Sequence, residues 1–201
     1  MQATDILSSE HRVIEQVIVA LDAAADRIDA GGEVRPGFFI DAARFIRDYA
    51  DGYHHAKEEG VLFTAMARAG MPTEQGPIGV MLYKHERARE LTAGLAAAAR
   101  RFADGDAGMA DTVTDYARSY AELLTQHIFK EDNILFPMAG QAIPPHAHDA
   151  VVAEFARIED AQAARGPKQS FVELAQALCD EMGVDLATAP RREASLPCHA
   201  R

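Results

Sequence analysis

Apolar residues recur at steps of three and four along most of the chain, and no stretch keeps the period of two that is typical of a strand. Glycine and proline residues interrupt this pattern at three turns and again at Pro144-Pro145. The pattern predicts four long helices, at about 4–30, 36–70, 77–104 and 109–139. It also predicts two shorter helices, at about 149–164 and 170–182, the second with Ser170 as its N-cap.

Four long helices joined by short turns favour an all-α fold, an up-down-up-down four-helix bundle. We expect residues 1–140 to form this bundle and to carry the chemistry of the protein. Residues 141–182 would form a C-terminal helical extension that packs against its side or end. Residues 183–201 lack periodicity, and we expect them to form a flexible tail.

Each of the four apolar stripes contains a histidine. His11 follows Leu7 by four residues in the first stripe, and His85 follows Met81 by four in the third. A single histidine of this kind is usually a hydrogen-bonded core residue. Four of them on four different helices indicate instead that they bind a metal together.

The second and fourth stripes add a glutamate four residues after the histidine, on the same helix face. The pairs are His54 with Glu58 and His127 with Glu131, and the stripes continue to Val61 and Ile134. An unpaired buried carboxylate costs several kcal/mol even after the protein relaxes around it. Bound cations would offset this cost, because neutral imidazole and carboxylate oxygen are ligands of divalent metal ions.

The spacing of the four histidines indicates a duplicated helical hairpin. His54 follows His11 by 43 residues, and His127 follows His85 by 42. The members of each pair also lie at nearly equal distances from the turn between their helices, so at about 1.5 Å per residue they meet at one level. A pseudo-two-fold axis between the hairpins would give each of two metal ions a pair of histidines, with the two glutamates placed to bridge.

The pattern His11, His54-x-x-x-Glu58, His85 and His127-x-x-x-Glu131 resembles the hemerythrin-like HHE cation-binding domain family. The stretches YHHAKEEGVLF and HIFKEDNILFPMA are similar to its two diagnostic segments, and the resemblance covers about residues 4–140. It implies two iron ions with an oxo or hydroxo bridge, four terminal histidines and two bridging glutamates. It also implies chemistry with O2, NO or peroxide.

Two positions leave the ligand set and the activity open. Oxygen-carrying hemerythrins have a further histidine four residues after the third-helix ligand, and here that position is Arg89. This favours a reactive di-iron protein over a simple oxygen carrier. Some family members use the residue after the second-helix histidine, which makes His55 a possible further ligand, although it lies on the helix face opposite to His54. No glutamate stands three residues before a histidine, so a ferritin-like di-iron arrangement is disfavoured.

For several other polar residues, the sequence gives weaker evidence of a role in the metal site. Tyr120, seven residues before His127, is either a core residue or a hydrogen-bond donor to a ligand. Glu15, four residues after His11, either supports the imidazole of that histidine or belongs to a solvated face. We expect no metal role for His146, His148 or His199.

The composition limits the possible partners and compartment. A net charge of −11 and a pI near 5.1 disfavour nucleic acids and anionic membranes. The N-terminus lacks the pattern of a signal peptide, and no segment has the roughly 18 consecutive apolar residues of a membrane span. Cys179 and Cys198 form no CxxC pair, so we expect reduced thiols in a cytoplasmic protein.

These observations favour a cytoplasmic non-haem di-iron protein that binds or reacts with O2, NO or peroxide, in oxidative or nitrosative stress or in iron handling. Turnover and oligomeric state stay open. The alternative is a module that senses O2 or iron without turnover, with the C-terminal helices as a surface for a protein partner. A closed structural zinc site is disfavoured, because six ligands for two metals leave open coordination positions.

Overall fold

The computed structural model describes residues 2–184, which are helical and contain no strand, in agreement with the predicted all-α class. The α-helices are α1 (Ala3–Asp29), α2 (Phe38–Phe45), α3 (Phe63–Arg68), α4 (Gly76–Ala103), α5 (Ala110–Lys130), α6 (Phe136–Ala142), α7 (His148–Gln162) and α8 (Lys168–Met182). Short 3-10 turns flank α7 (Pro145–Ala147 and Ala163–Arg165) and precede α5 (Ala107–Met109).

Two of the long helices contain π-helical segments, in which backbone hydrogen bonds span five residues instead of four. The segments Ile46–His55 and Glu58–Leu62 lie between α2 and α3, and the segment Glu131–Leu135 joins α5 to α6. We call the resulting continuous rods the 38–68 helix and the 110–142 helix. Wide turns of this kind are rare and frequently mark functional sites.

The long helices contact one another in a closed ring. Helix α1 packs against α5, α5 against α4, and α4 against α2, while α1 also contacts the 38–68 helix. Gly94 allows α4 and α5 to approach closely, since the ring of Tyr116 lies 2.3 Å from the point where a side-chain carbon at Gly94 would be. The ring of helices encloses the interior in which the candidate ligands lie.

Two apolar clusters occupy this interior, and a polar layer separates them. Along α1, Leu7 belongs to the first cluster and Ile14 to the second, and His11 lies between them. Along α4, His85 has the same position between residues of the two clusters. The buried polar groups of different helices therefore meet at one level of the protein.

The π-helical turns change which residues are buried after the two glutamates. The regular stripe predicts Val61 and Ile134 at core positions, but Ile134 is 47% exposed and Leu135 is buried in its place. In the 38–68 helix Leu62 is fully buried, whereas Val61 is only half-buried. Each wide turn takes up one extra residue and so shifts the core-facing positions by one.

The predicted helix boundaries agree with the structure to within a few residues, but one predicted cap is wrong. We expected Ser170 to begin the last helix, whereas α8 begins at Lys168, directly after Pro167. The hydroxyl of Ser170 lies in the first turn and donates to the carbonyl oxygen of Pro167. Proline is tolerated at a helix start because its missing N–H would have no helical partner there.

The C-terminal helices share the core of the long helices. Helix α8 packs against α1 and α2, and its Phe171 and Leu178 belong to the second apolar cluster, while α7 contacts the π-helical segments of the 38–68 helix. Residues 185–201, which hold most of the predicted tail with Cys198 and His199, lie outside the described residues. Within residues 2–184, no helix is both long enough and apolar enough to cross a membrane.

Candidate metal centre

The polar layer is a cluster of seven side chains that are at most 2% exposed. We call it the central cluster, and its members are His11, His54, His55, Glu58, His85, His127 and Glu131. Helices α1 and α4 supply one histidine each, and the 38–68 and 110–142 helices supply the rest. The structure thus brings together all six residues that the sequence predicts as ligands, and His55 with them.

The central cluster divides into two groups of possible metal ligands. Within each group the ligand atoms lie within 4.8 Å of one another, and Glu58 belongs to both groups. The first group is His11, His54, Glu58 and Glu131, and the second is His55, Glu58, His85 and His127. Two adjacent groups with a shared carboxylate have the layout that a pair of neighbouring cations needs.

The two glutamates lie between the two predicted hairpins. Oε1 of Glu58 is 3.5 Å from Nε2 of His54, and its Oε2 is 3.4 Å from Nε2 of His85. Glu131 also faces both hairpins, because its Oε2 is 3.3 Å and 3.1 Å from Nε2 of the central histidines on α1 and α5. Each carboxylate therefore faces one histidine of each hairpin, which suits a bridging ligand.

Many of the polar atoms that face one another in the central cluster have no hydrogen-bond partner within residues 2–184. They include Nε2 of His11, His54 and His55 and both carboxylate oxygens of Glu58 and Glu131. Such atoms are rare in proteins, because each buried polar group without a partner costs about 1–3 kcal/mol. Cations bound between these atoms would satisfy them, so the donor set fits a metal centre.

The two central carboxyl groups have pKa values that are shifted in opposite directions. Burial and the negative charge of Glu131 raise the pKa of Glu58 well above its ordinary value. Burial alone would also raise the pKa of Glu131, but the charge of His127, together with that of His11, holds it well below its ordinary value. A cation between the two carboxyl groups would favour the ionised form of both.

His55 lies inside the central cluster, so its predicted place on the opposite helix face is wrong. Its ring is 5.6 Å from that of His54 and stacks on the ring of His85 at 3.9 Å. The π-helical segment Ile46–His55 widens the turn, which allows two consecutive residues to face the same interior. Five imidazoles converge here, one more than the regular stripes predict.

Carboxylates outside the central cluster accept hydrogen bonds from Nδ1 of its histidines. Nδ1 of His11 donates to Oδ1 of Asp132 at 2.9 Å, and Nδ1 of His85 donates to Oε1 of Glu59 at 2.7 Å. Such bonds fix the tautomer and direct Nε2 inward. Each of these two carboxylates directly follows a central glutamate in the sequence, a signal that the stripe pattern alone does not reveal.

Asp132, and not Glu15, supports the imidazole of His11. Glu15 instead lies 3.0 Å from the guanidinium group of Arg12. Arg12 also contacts Asp132, to which the hydroxyl of Ser8 donates at 2.9 Å. Arg12 and Ser8 therefore hold this carboxylate in place, and it in turn holds the histidine.

Arg89, at the position of the additional histidine of oxygen carriers, holds two of the supporting carboxylates. Its Nη2 is 2.6 Å from Oε1 of Glu59, and its Nε is 2.8 Å from Oδ1 of Asp51. Asp51 accepts a hydrogen bond from Nδ1 of His55 at 3.4 Å. Arg89 thus positions the supports of His55 and His85 without entering the central cluster.

His54 is supported by a buried ion-pair network that extends to the C-terminal helices. Its Nδ1 donates to Oε2 of Glu10 at 3.1 Å. Glu10 also contacts the ammonium groups of Lys57 and Lys168, and both ammonium groups contact Glu159 of α7. Burial alone would raise the pKa of Glu10, but the bond from His54 and the two lysine charges hold it well below its ordinary value. We call these four charged residues the Glu10 network.

The remaining candidates lie outside the two ligand groups. The hydroxyl of Tyr120 is buried and has no hydrogen-bond partner among residues 2–184. His146 and His148 belong to neither group. The thiol of Cys179 is buried and donates to the carbonyl oxygen of Gln16, and burial raises its pKa to about 11. It is therefore a protonated thiol at neutral pH.

Comparison with known proteins agrees with this geometry. The family model described as the hemerythrin HHE cation binding domain matches residues 2–139. Relatives from Mycobacterium bovis and two strains of Mycobacterium tuberculosis, each named an uncharacterized protein, are 27% identical over 135 residues. The alignments cover 67% of this chain and 52% of each relative, so the chain spans about half the length of these proteins. No solved structure matches the chain significantly.

Proposed function

Since the chain belongs to the hemerythrin HHE cation-binding domain family, we propose that its central cluster holds two iron ions that bind or react with O2, NO or peroxide. The observation that carries this proposal is the convergence of unpartnered imidazole and carboxylate atoms in two adjacent groups. A core of mutually hydrogen-bonded histidines would not leave so many buried atoms without partners. Iron suits these ligands, because non-haem iron takes imidazole and carboxylate and keeps positions open for a small ligand.

We assign the roles of the residues from their positions in the two groups. The terminal ligands would be His11 and His54 for one ion and His85 and His127 for the other, with Glu58 and Glu131 as bridges and His55 as a further ligand of the second ion. The iron ions, when bound, would supply the redox chemistry. The chain would exclude water and hold the imidazole rings through their Nδ1 atoms.

We further propose that the ring of long helices is an up-down-up-down bundle within residues 1–140, extended by helices within residues 141–182. The connections between consecutive long helices are short, which supports antiparallel neighbours. The family match ends at residue 139, close to the proposed end of the bundle. The C-terminal helices would then be an addition to the family domain that packs on its core.

A sensing module without turnover is the second candidate, and the Glu10 network favours it. This network joins His54 to α7 and to the start of α8 through buried charges. Iron occupancy would therefore change the electrostatic balance at the C-terminal helices. Under this function, iron loading would alter hydrogen exchange in α7 and α8 without consumption of O2 or peroxide.

Anaerobic reconstitution with Fe(II), followed by elemental analysis and stopped-flow absorption with O2, NO and H2O2, tests the proposed function. We expect about two iron ions per chain, the number that two adjacent ligand groups would hold, and a charge-transfer band after exposure to air. Rapid peroxide consumption would support turnover, and a stable reversible O2 adduct would support a carrier or sensor. Fewer than about two iron ions per chain and no charge-transfer band would contradict the di-iron assignment.

Asp132→Asn should weaken metal binding by about 10–100-fold, the usual effect of removing a partner of a ligand imidazole. Asparagine keeps the size of the side chain but removes the charge that orients Nδ1–H of His11. An anaerobic titration against a competing chelator measures the change. Asp115→Asn, at an exposed position of the same long helix, is the matched control. Equal affinity of the Asp132→Asn variant and the wild type would exclude this supporting role.

A further inference from the structure

A cavity of about 520 Å³ lies between the 38–68 helix and α4, beside the central cluster. Its walls are mainly apolar and include Ile40, Ala43, Ile46, Ala88, Ala93 and Ala96. The volume is within the range of about 300–1,000 Å³ that is usual for small-molecule sites. O2, NO and peroxide are far smaller, so the proposed function does not account for this space.

The cavity is elongated along the helix axes. On α4 its lining extends from Ala88 to Arg100, which corresponds to about 18 Å at 1.5 Å per residue. Its inner end lies at the level of the central cluster, because His55 lines it and stacks on a histidine of α4. Its outer end lies near Ile40, whose neighbour Phe39 packs on Phe102 at the end of α4.

Positive charge lines the cavity, in a chain whose net charge is −11. Among the residues that the structure describes, the lining contains four arginines, Arg44, Arg47, Arg89 and Arg100, and one carboxylate, Asp51. Arg89 is compensated by its contacts with Asp51 and Glu59. The charge balance of the cavity therefore depends on the partners of the other three arginines.

The arginines that carry the surplus of positive charge lie towards the outer end of the cavity. Arg44 and Arg47 both pair with the one carboxylate of Asp48, Arg44 at only 4.0 Å, and Arg165 also lies 3.9 Å from it. Arg100 lines the cavity and forms no ion pair within the part of the chain that the structure describes. An anionic group of a ligand would find charge-assisted hydrogen bonds there.

The inner end presents a polar atom that needs a partner. The side chain of Tyr120 lines the cavity and is 1% exposed, and its hydroxyl has no partner among residues 2–184. A buried hydroxyl without a partner is unfavourable. An oxygen atom of a bound molecule would supply the missing acceptor.

We propose that this cavity binds a medium-chain organic carboxylate that carries a hydroxyl or carbonyl oxygen at its far end. The carboxylate lies between Arg44 and Arg100, the chain runs along the alanine and isoleucine walls, and the far oxygen accepts a hydrogen bond from Tyr120. A chain of about ten carbons fits within the roughly 18 Å that α4 spans along the cavity. Neutral or cationic ligands would leave the arginine surplus uncompensated. The binding does not depend on iron, so its test is separate from that of the proposed function.

Isothermal titration calorimetry of the full chain with 10-hydroxydecanoate tests the proposal. We expect one binding site per chain, weaker binding of decanoate, and no binding of decyltrimethylammonium. Arg100→Gln should weaken binding of 10-hydroxydecanoate about tenfold, the effect of losing one charge-assisted hydrogen bond. Arg101→Gln, at the next residue and outside the cavity, should bind like the wild type.

Two further variants test the apolar wall and the inner end. Ala96→Phe should abolish binding because the ring obstructs the cavity along its length, and Ala97→Phe, at an exposed position, should not. Tyr120→Phe should remove the preference for 10-hydroxydecanoate over decanoate. Circular dichroism and melting curves show whether each variant is folded. If Ala96→Phe does not fold, the surface pair Arg100→Gln and Arg101→Gln tests the proposal instead.

Equal binding of decanoate and decyltrimethylammonium would overturn the proposal, because it would mean non-specific contact with apolar surface. Unchanged affinity in Arg100→Gln, or in a folded Ala96→Phe protein, would also overturn it. Arg100→Gln should retain the iron content of the wild type. Loss of carboxylate binding and loss of iron binding are therefore distinguishable results.

Discussion

Glu58→Gln is expected to release the metal from this protein while the metal-free chain stays folded. Glu58 belongs to both ligand groups, and its two oxygens face Nε2 of His54 and of His85. A neutral amide lacks the charge and the second carboxylate oxygen that a bridge between two cations needs. We expect the metal content to fall from about two ions per chain to fewer than one, measured by elemental analysis after dialysis.

The same substitution should stabilise the metal-free chain at neutral pH. Burial and the charge of Glu131 raise the pKa of Glu58. The ionised form of Glu58 therefore destabilises the folded chain relative to the unfolded chain. Below the ordinary glutamate pKa of about 4.3, Glu58 is neutral in both states and the variant should resemble the wild type. As the pH rises above this value, the unfolded chain ionises first, and the advantage of the variant should grow until the raised pKa is passed.

Urea unfolding in the presence of a chelator, at several pH values, measures this stability difference. Glu122→Gln, at an exposed position of the 110–142 helix, is the control and should change neither the metal content nor the pH dependence. Retention of both metal ions by Glu58→Gln would overturn the bridging role. A metal-free variant less stable than the wild type would contradict the electrostatic account of the central cluster.

Lys57→Met should destabilise the chain by about 3–5 kcal/mol, the cost of leaving a buried charge without its partner. The side chain of Lys57 is fully buried, and its ammonium group contacts Glu10 and Glu159. With methionine in this position, those two carboxylates share only Lys168. Urea unfolding of the chelator-treated protein separates this loss from any change in metal binding.

A double variant and an exposed pair control this prediction. Lys57→Met combined with Glu10→Gln should recover much of the lost stability, because the surplus negative charge is gone and glutamine keeps an oxygen for Nδ1 of His54. Arg87→Met removes an ion pair with Glu90 that is about half exposed on both sides, and it should cost less than about 1 kcal/mol. A loss in Lys57→Met no larger than that in Arg87→Met would show that the Glu10 network contributes little.

The helical class and the six candidate ligands could be predicted from the sequence, because each is a local exception to a regular pattern. A histidine at a position where an apolar stripe requires Leu or Ile, as at His11 and His85, is visible without any tertiary information. The duplicated spacing predicts that these exceptions meet at one level, and the structure places them in one buried cluster. Amphipathic periodicity depends only on which face of a helix is buried.

The stripe pattern does not predict the π-helical turns. It therefore also fails to predict the inward position of His55 and the burial of Leu135. The one signal was a run of three successive four-residue steps, from Ile46 through Ala50 and His54 to Glu58, where an α-helix alternates three and four. A stripe of this kind is also compatible with a regular helix that drifts slightly. The choice between them depends on how the surrounding core packs.

Only the tertiary structure shows which charged residues hold the side chains of the central cluster in place. Asp132, Glu59 and Lys57 look in the sequence like charged residues of a solvated face, yet each pairs with a residue of another helix. Lys57 and Glu159 are 102 positions apart. The cavity between the 38–68 helix and α4 is likewise a property of two helices at once. Periodicity along one helix determines its buried face, but the residue that lies opposite depends on the rotation and spacing of helices, which the packing of the whole core sets.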